Sequence, residues 1–560
     1  MKTIIVGGVA GGAGTAARLR RNDEQAEIIM LEKGPYISFA NCGLPYYIGG
    51  EIKDKDELQL QTPESFNERF NVDVRVLSEV TAIDTQNKAV TVKNHATGET
   101  YRETYDVLVL SPGARPIRPQ ISGADLDHVF TLRTIPDTYK IKDFIADRKP
   151  QRAVIVGSGY IGVEMAENLH KAGLQVAMIE AQNHVIGSLD YEMAALLHNE
   201  IRRHHVELYL ESKVTSITPE SVILEDGREI AADLVLMSIG VQPETAFIQG
   251  SGINLGPRGE LLVDDHMRTN LPDVYGLGDA AMITNFVTGR QMIIPLASPA
   301  NKQARIVADL ISGKPARYTG TQGTAIARVF SQTVAITGES EFSLQRNGIA
   351  YRKSYTFSNS NAGYYPGGRT MAIKLLFAED GRVLGASIVG PKGVDKRMDV
   401  LATAIRAGMT VYDLQELELA YAPPFSSAKD PVNMAGYAAA NILDGMVKPF
   451  YVEDLEKITK ADMLLDVRTT EEFHAGHLRH AVNIPIDELR ERLGEIDRNK
   501  KVYIYCAIGL RGYIAQRILS SHGIDSLNLS GGYTLWKELD RDRKAQAADV
   551  LQCAYCGKPN

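Results

Sequence analysis

Cysteine is scarce in this sequence: Cys42, Cys506, Cys553 and Cys556 are the only four among 560 residues. So few thiols exclude a disulfide scaffold and point to a cytoplasmic protein whose cysteines do chemistry. Excess positive charge is missing too, since 61 Lys and Arg face 69 Asp and Glu for a net charge of -8. No general attraction to nucleic acid follows from that balance, although a local basic pocket for a phosphorylated cofactor is compatible with it. Long apolar runs are also lacking. The opening MKTIIVGGVAGG breaks into glycines and then meets Arg18, Arg20 and Arg21, so neither a secretory segment nor a membrane span is expected.

Glycine, by contrast, is plentiful, with 49 residues, and 44% of the chain is hydrophobic against 23% charged. That composition and length predict a soluble α/β protein with several separately cored domains.

The glycines fall in two places that carry chemistry. KTIIVGGVAGGAGTAARLRR reads as a short strand, a turn and an alanine-rich helix, with Gly7, Val9 and Gly12 in the spacing of a dinucleotide-binding turn. Val9 stands where the middle glycine usually is. The first helical turn directs N–H groups toward a pyrophosphate, and Glu32, closing EIIMLE, can accept hydrogen bonds from a ribose diol. A second copy, RAVIVGSGYIGVEMAENLHKAGLQVAMIE, supplies Gly157, Gly159, Gly162 and Glu180. Glu180 would repel a ribose 2′-phosphate, and neither Gln182 nor Asn183 brings an arginine, so NADH is expected over NADPH. YDVLVLSPGARP places Gly113 at a close crossing near a cofactor, and LPDVYGLGDAA places Asp279 where it can hold a ribityl hydroxyl. These flanking pieces enclose the second unit. They imply one nucleotide domain split over 1–110 and 240–320, around another at 111–239.

Residues 1–445 resemble the flavin-dependent pyridine nucleotide–disulfide oxidoreductases, and SFANC, ending at Cys42, resembles the single-cysteine coenzyme A disulfide reductase branch. The resemblance implies FAD on the first unit, NAD(P)H on the second and an α/β dimerisation domain at 325–445, hence a homodimer. RTMAIKLLFA and VLGASIVG are strand-like and LATAIRAG helix-like, in keeping with that domain. Dithiol members carry a second cysteine five positions on, where this chain has Tyr47. The oxidised resting form then needs an external thiol, and the resemblance supplies coenzyme A as a mixed disulfide on Cys42. Helix N–H groups and nearby cations are expected to favour the Cys42 thiolate. By the same resemblance Arg18, Arg21, Ser38, Asn41 and Lys429 contact coenzyme A. Tyr421, in YAPPF, with Tyr365 or its neighbour Tyr364, crosses the dimer interface toward the sulfur.

Residues 455–545 resemble a single-domain rhodanese, through Asp466-Val467-Arg468, Gly476-His477, Ile484-Pro485, the Cys506–Arg511 loop and Gly531-Gly532-Tyr533. TTEEF can cap and open a helix, and Cys506 falls at a strand end with a tight turn and helix after it. Backbone N–H groups and Arg511 can then stabilise a thiolate or persulfide. Ala507 replaces the arginine usual after the reactive cysteine, which weakens any case for thiosulfate and suits a less charged persulfide. Residues 546–560 form a tail in which Cys553 and Cys556 have C-x-x-C spacing without a second pair, so no single-chain zinc site is expected.

The expected fold is therefore α/β: two Rossmann-like nucleotide-binding domains, a dimerisation domain and a C-terminal rhodanese-like domain. The expected function is NADH- and FAD-dependent reduction of coenzyme A persulfide, polysulfide or disulfide through Cys42, beside sulfur transfer at Cys506. A single-cysteine NADH peroxidase or oxidase is the alternative. Small disulfides or persulfides are the partners, with neither nucleic acid nor membrane.

Overall fold

The computed structural model describes residues 1–555, with side chains through residue 548. The chain forms two compact units, Met1–Ala181 with Ser212–Gly323, and Gln182–Glu211 with Thr324 onward.

In the first unit, strands Lys2–Val6 and Glu27–Leu31 pair in parallel, joined by the helix Ala10–Asn22. Val107–Leu110 lies on the other side of Lys2–Val6, and Val274–Gly276 pairs with Val107–Leu110, so residues far along the chain complete the first sheet. The buried residues of its central strands, Ile4–Val6, Ile28–Leu31 and Val107–Leu110, are apolar because both faces are covered. Ile5, Met30 and Val109 pack in one buried cluster with residues of the helices Ala10–Asn22 and Ala297–Ile311. Ile4, Val6, Ile29, Leu31, Leu108 and Leu110 pack on the other face with the antiparallel strands Ser78–Asp84 and Ala89–Asn94. The motif repeats in Arg152–Val156, Tyr160–Lys171 and Gln175–Ile179, with Leu234–Met237 beside Arg152–Val156.

Among the described residues, two sheets lie wholly within the second unit. One is antiparallel, ordered Ala325–Val329, Gln332–Gly338, Val383–Gly390, Thr370–Phe377 and Arg352–Asn359. The other is parallel, ordered Pro449–Phe450, Ser526–Leu529, Val502–Tyr505, Met463–Asp466 and Val482–Asn483, over a core that includes Leu465, Ile484, Ile504 and Ala515. The helix Tyr191–Arg203 packs against the final helix, Gly532–Tyr555, and against Val383–Gly390. Asp542 is fully buried at the contact of the two helices, accepting from Tyr191 Oη at 2.9 Å, Arg202 Nη1 at 2.6 Å and Gln546 Nε2 at 2.9 Å. His198 Nδ1 lies 3.0 Å from the same carboxylate, and its Nε2 accepts the Val185 N–H at 3.1 Å. Lys374, also buried, meets Asp190 at 2.8 Å and Glu192 at 3.2 Å, and pairs with Glu341. No helix among the described residues is long and apolar enough to cross a membrane.

Candidate active site

The first glycine turn is shaped for a bound phosphate. Gly7 sits at φ +97°, and a Cβ there would meet the Ser111 carbonyl oxygen at 2.1 Å; one on Gly12 would meet the Gly7 carbonyl oxygen at 1.8 Å. Only glycine lets strand, helix and the Ser111 crossing come this close. Val9 is the N-cap of Ala10–Asn22, with no side-chain cap and no acid in the first turn, so no side chain of its own satisfies the N–H groups at this helix end. Buried Glu32 accepts the Gly8 N–H at 2.8 Å and the Gly34 N–H at 2.7 Å. Burial pushes this carboxyl upward despite those two donors. Asp279 is held by Arg133 at 2.7 Å, and Gly113, at φ +71°, leaves room beside that guanidinium. The set of free helix-end N–H groups with the carboxylates Glu32 and Asp279 has the donor and acceptor types that would suit a dinucleotide's diphosphate and hydroxyls.

The second turn repeats the design. Gly157 has φ +97°, Gly159 is the uncapped N-cap of Tyr160–Lys171, and a Cβ on Gly162 would meet the Gly157 carbonyl oxygen at 2.2 Å. Glu180 accepts both the N–H and the Oγ–H of Ser158, at 2.9 and 2.7 Å. A nicotinamide dinucleotide fits this second end by the same chemistry.

The thiol loop is tied to the first turn. The Ser38 N–H donates to the Gly8 carbonyl at 2.8 Å, and Ala40 and Leu60 secure the loop through Leu58 and Ser38. Cys42 then lies in the short turn Asn41–Gly43, exposed, immediately before the helix Leu44–Ile48. The expectation of a favoured thiolate is corrected here. Surrounding protein atoms push the Cys42 thiol up by removing water, Glu164 and Asp279 push it further, and only Arg133 opposes them.

The remaining predicted residues are placed as follows. Arg18 donates to both oxygens of Asp309, at 2.9 and 3.2 Å, whereas Arg21, one turn on, is exposed. Lys429 is exposed in the second unit. Tyr421 Oη bonds Tyr364 Oη at 3.1 Å, while Tyr365 donates its backbone N–H to Ala362. All three tyrosines are exposed apolar surface, and the shared hydrogen bond raises the Tyr421 phenol.

Cys506, buried at the end of Val502–Tyr505, accepts the Gly509 N–H at 3.1 Å on Sγ. Gly509, at φ +103°, turns the chain into the helix Leu510–Ser521. Tyr533 and Thr534 N–H groups hold the Cys506 and Ala507 carbonyls at 2.8 and 2.9 Å. A Cβ on Gly532 would strike those carbonyls at 2.6–2.7 Å, which accounts for the Gly-Gly-Tyr signature. Arg511 pairs with Glu472, the N3 residue of the capping box begun by Thr469, and Cys506 is near enough to raise the Arg511 guanidinium, though less than Glu472 does. Glu164, Arg133 and Glu472 are functional neighbours that the sequence reading missed. Only Glu472 carried a local signal, as the acid of the TTEEF cap. Cys556 and the Cys553 side chain lie outside the described residues.

The pyridine nucleotide-disulphide oxidoreductase family matches residues 1–304, its dimerisation domain residues 324–431, and the rhodanese-like domain residues 451–539. The chain belongs to the pyridine nucleotide-disulphide oxidoreductase family. This oxidoreductase is 37% identical over 443 residues to the coenzyme A disulfide reductase of Staphylococcus haemolyticus, covering 79% of this chain and 100% of the relative. Reduced CoADR-RHD from Bacillus anthracis shares 48% identity with a TM-score of 0.95, covering 97% of this chain and 98% of that one. The NAD-dependent persulfide reductase from A. fulgidus shares 36% identity with a TM-score of 0.91, over 96% of this chain and 100% of that one. The expected fold class, nucleotide-binding units with a dimerisation domain and a C-terminal rhodanese domain, is the one found.

Proposed function

We propose that this oxidoreductase reduces coenzyme A disulfide or coenzyme A persulfide with NADH and FAD through Cys42, and transfers sulfane sulfur through Cys506. The observation that carries the reading is one exposed thiol, Cys42, on a loop hydrogen-bonded to the first dinucleotide turn, with Tyr47 where a second thiol would be needed for an internal disulfide. The coenzyme A disulfide reductase relative and the two rhodanese-bearing neighbours support it, and the peroxidase or oxidase alternative is not favoured.

FAD, when bound, supplies two-electron transfer between NADH and a disulfide. The Gly7–Gly12 turn and Glu32 would hold that dinucleotide, and the Gly157–Gly162 turn and Glu180 would hold NADH, whose unphosphorylated ribose would suit the acid. The Cys42 thiolate attacks a sulfur of coenzyme A disulfide, forming a Cys42–coenzyme A disulfide and releasing one coenzyme A thiolate. For a persulfide, attack on the inner sulfur releases hydrosulfide and leaves the same mixed disulfide. Arg133 offsets the carboxylates that oppose the thiolate. Arg18, Arg21, Ser38, Asn41 and Lys429 bind the coenzyme A portion, and Tyr421 with its tyrosine partner supplies a proton to the leaving thiolate in a homodimer.

Anaerobic NADH consumption with coenzyme A persulfide, coenzyme A disulfide and hydrogen peroxide tests this. Cys42→Ser should lose turnover with both coenzyme A substrates, while Cys506→Ser keeps it. Peroxide as the sole efficient oxidant would overturn the reading.

A further inference from the structure

The active loop around Cys506 contains one cation, and that cation is already matched. Arg511 donates Nη1 and Nη2 to the two oxygens of Glu472 at 2.6 and 2.8 Å, a forked pair with fixed geometry. Glu472 is anchored independently, since its carboxylate also accepts the Thr469 N–H at 3.0 Å and its own N–H reaches Thr469 Oγ1 at 3.3 Å. The Arg511 hydrogen bonds hold this carboxyl down at about 2, so it is charged throughout the neutral range. Nothing else in the loop replaces the cancelled charge: Ala507, Ile508, Gly509 and Leu510 are uncharged. Arg468 is buried and directed to Asp466 at 2.6 Å and the Gly476 carbonyl at 2.8 Å, its guanidinium 4.0 Å over the Tyr533 ring.

A thiolate attacking thiosulfate brings one negative charge against two. Backbone N–H groups alone compensate such an encounter poorly, and a site with no net positive charge selects a donor of lower charge. We propose that Glu472 is a specificity-determining residue of the Cys506 site: by neutralising Arg511 it disfavours dianionic inorganic donors and suits the loop to organic persulfides. The inference rests on the sulfurtransferase reading of Cys506. In the step concerned, the Cys506 thiolate attacks the outer sulfur of R–S–SH. One S–S bond forms to give Cys506–S–SH, the original S–S bond breaks, and its electron pair leaves on R–S⁻, with no net oxidation. The corresponding attack on thiosulfate gives the Cys506 persulfide anion and sulfite.

The test is a donor-charge series on the full-length, flavin-loaded protein, with cyanide as acceptor and thiocyanate as readout. Thiosulfate, benzenethiosulfonate (one negative charge) and glutathione persulfide serve as donors, for wild type, Glu472→Gln, Glu472→Asp and Cys506→Ala. Glu472→Gln should lower the thiosulfate KM by about tenfold, the scale of one unpaired charge at a partly exposed site. It should move the benzenethiosulfonate KM by no more than about threefold. Glu472→Asp, which keeps the charge, should retain the wild-type preference, and it guards against misfolding of the glutamine variant. A wild type that prefers thiosulfate, or a thiosulfate KM unmoved in Glu472→Gln, overturns the specificity role alone. Transfer that survives in Cys506→Ala overturns the sulfurtransferase reading itself.

Discussion

At Cys42 a thiol that must act as a thiolate sits, though itself exposed, among groups that resist its ionisation, the partial loss of water to surrounding protein atoms first and Glu164 next, with Arg133 opposing them. The sulfur is therefore tuned by carboxylates beside it as well as by what it attacks. Glu164→Gln should shift the pH dependence of iodoacetamide alkylation of NADH-reduced Cys42 to lower pH. The alkylation rate at pH 7.5 should rise about threefold. Arg133→Met should move it the opposite way. An alkylation profile identical in all three proteins would show that these charges do not reach the sulfur. Cys42 itself was legible in the sequence, because SFANC, the missing thiol at Tyr47 and the preceding dinucleotide turn are local patterns. Its electrostatic neighbours were not. Glu164 and Arg133 lie 122 and 91 residues away along the chain, and no local pattern places either beside the sulfur.

Among the elements, the helices Tyr191–Arg203 and Gly532–Tyr555 make the clearest case for pH-dependent stability. His198 Nε2 accepts a backbone N–H, so the ring is neutral with its proton on Nδ1 toward Asp542. Burial lowers the His198 pKa against the pull of Asp542, with Arg202 and His184 adding to the lowering. The unfolded chain then takes up a proton that the folded one refuses. Below the ordinary histidine value of 6.5, stability should fall as pH falls. The slope should not exceed about 1.4 kcal/mol per pH unit for one proton. Asp542, held at about 2 chiefly against burial by His198 and Arg202, adds stability above its unfolded value that is lost as pH drops toward 2. Thermal melts at pH 7.5 and 5.5 should show a drop in wild type that is smaller in His198→Asn, which itself costs about 1–3 kcal/mol at pH 7.5. An equal drop in both proteins would remove His198 from the account. The amphipathic pattern of YEMAALLHNEIRR marks a helix with one buried face. It does not name the partner, which lies more than 330 residues further on.

For the whole molecule, the two halves that the sequence separated by motif are separable by chemistry but not by packing within the second unit. Asn199 bonds Glu538, Ser530 Oγ accepts the Tyr355 N–H at 3.1 Å, and Lys353 pairs with Glu453 at 2.8 Å. A chain stopped after residue 445 would leave Tyr191, His198 and Arg202 without Asp542, and Lys353 without Glu453. It should melt several degrees lower than the full protein, the shift expected for a few kcal/mol, and gain exposed apolar surface detectable by dye binding. An unchanged melting temperature would make the appended domain dispensable to the fold. Domain order was legible because each motif is local and strung along the chain. The stitching between them was not, because it is made of polar residues whose partners are set by packing alone.

The final helix also bears on how such a chain can be taken apart or inherited. A fusion joined only by a tether lets either half be lost, exchanged or borrowed with little consequence for the other. Here Asp542 completes a hydrogen-bond set begun by residues encoded far upstream, so a shortened gene would need compensating changes at Tyr191, His198 and Arg202 to remain sound. An engineer seeking the reductase alone would do better to silence Cys506 than to cut.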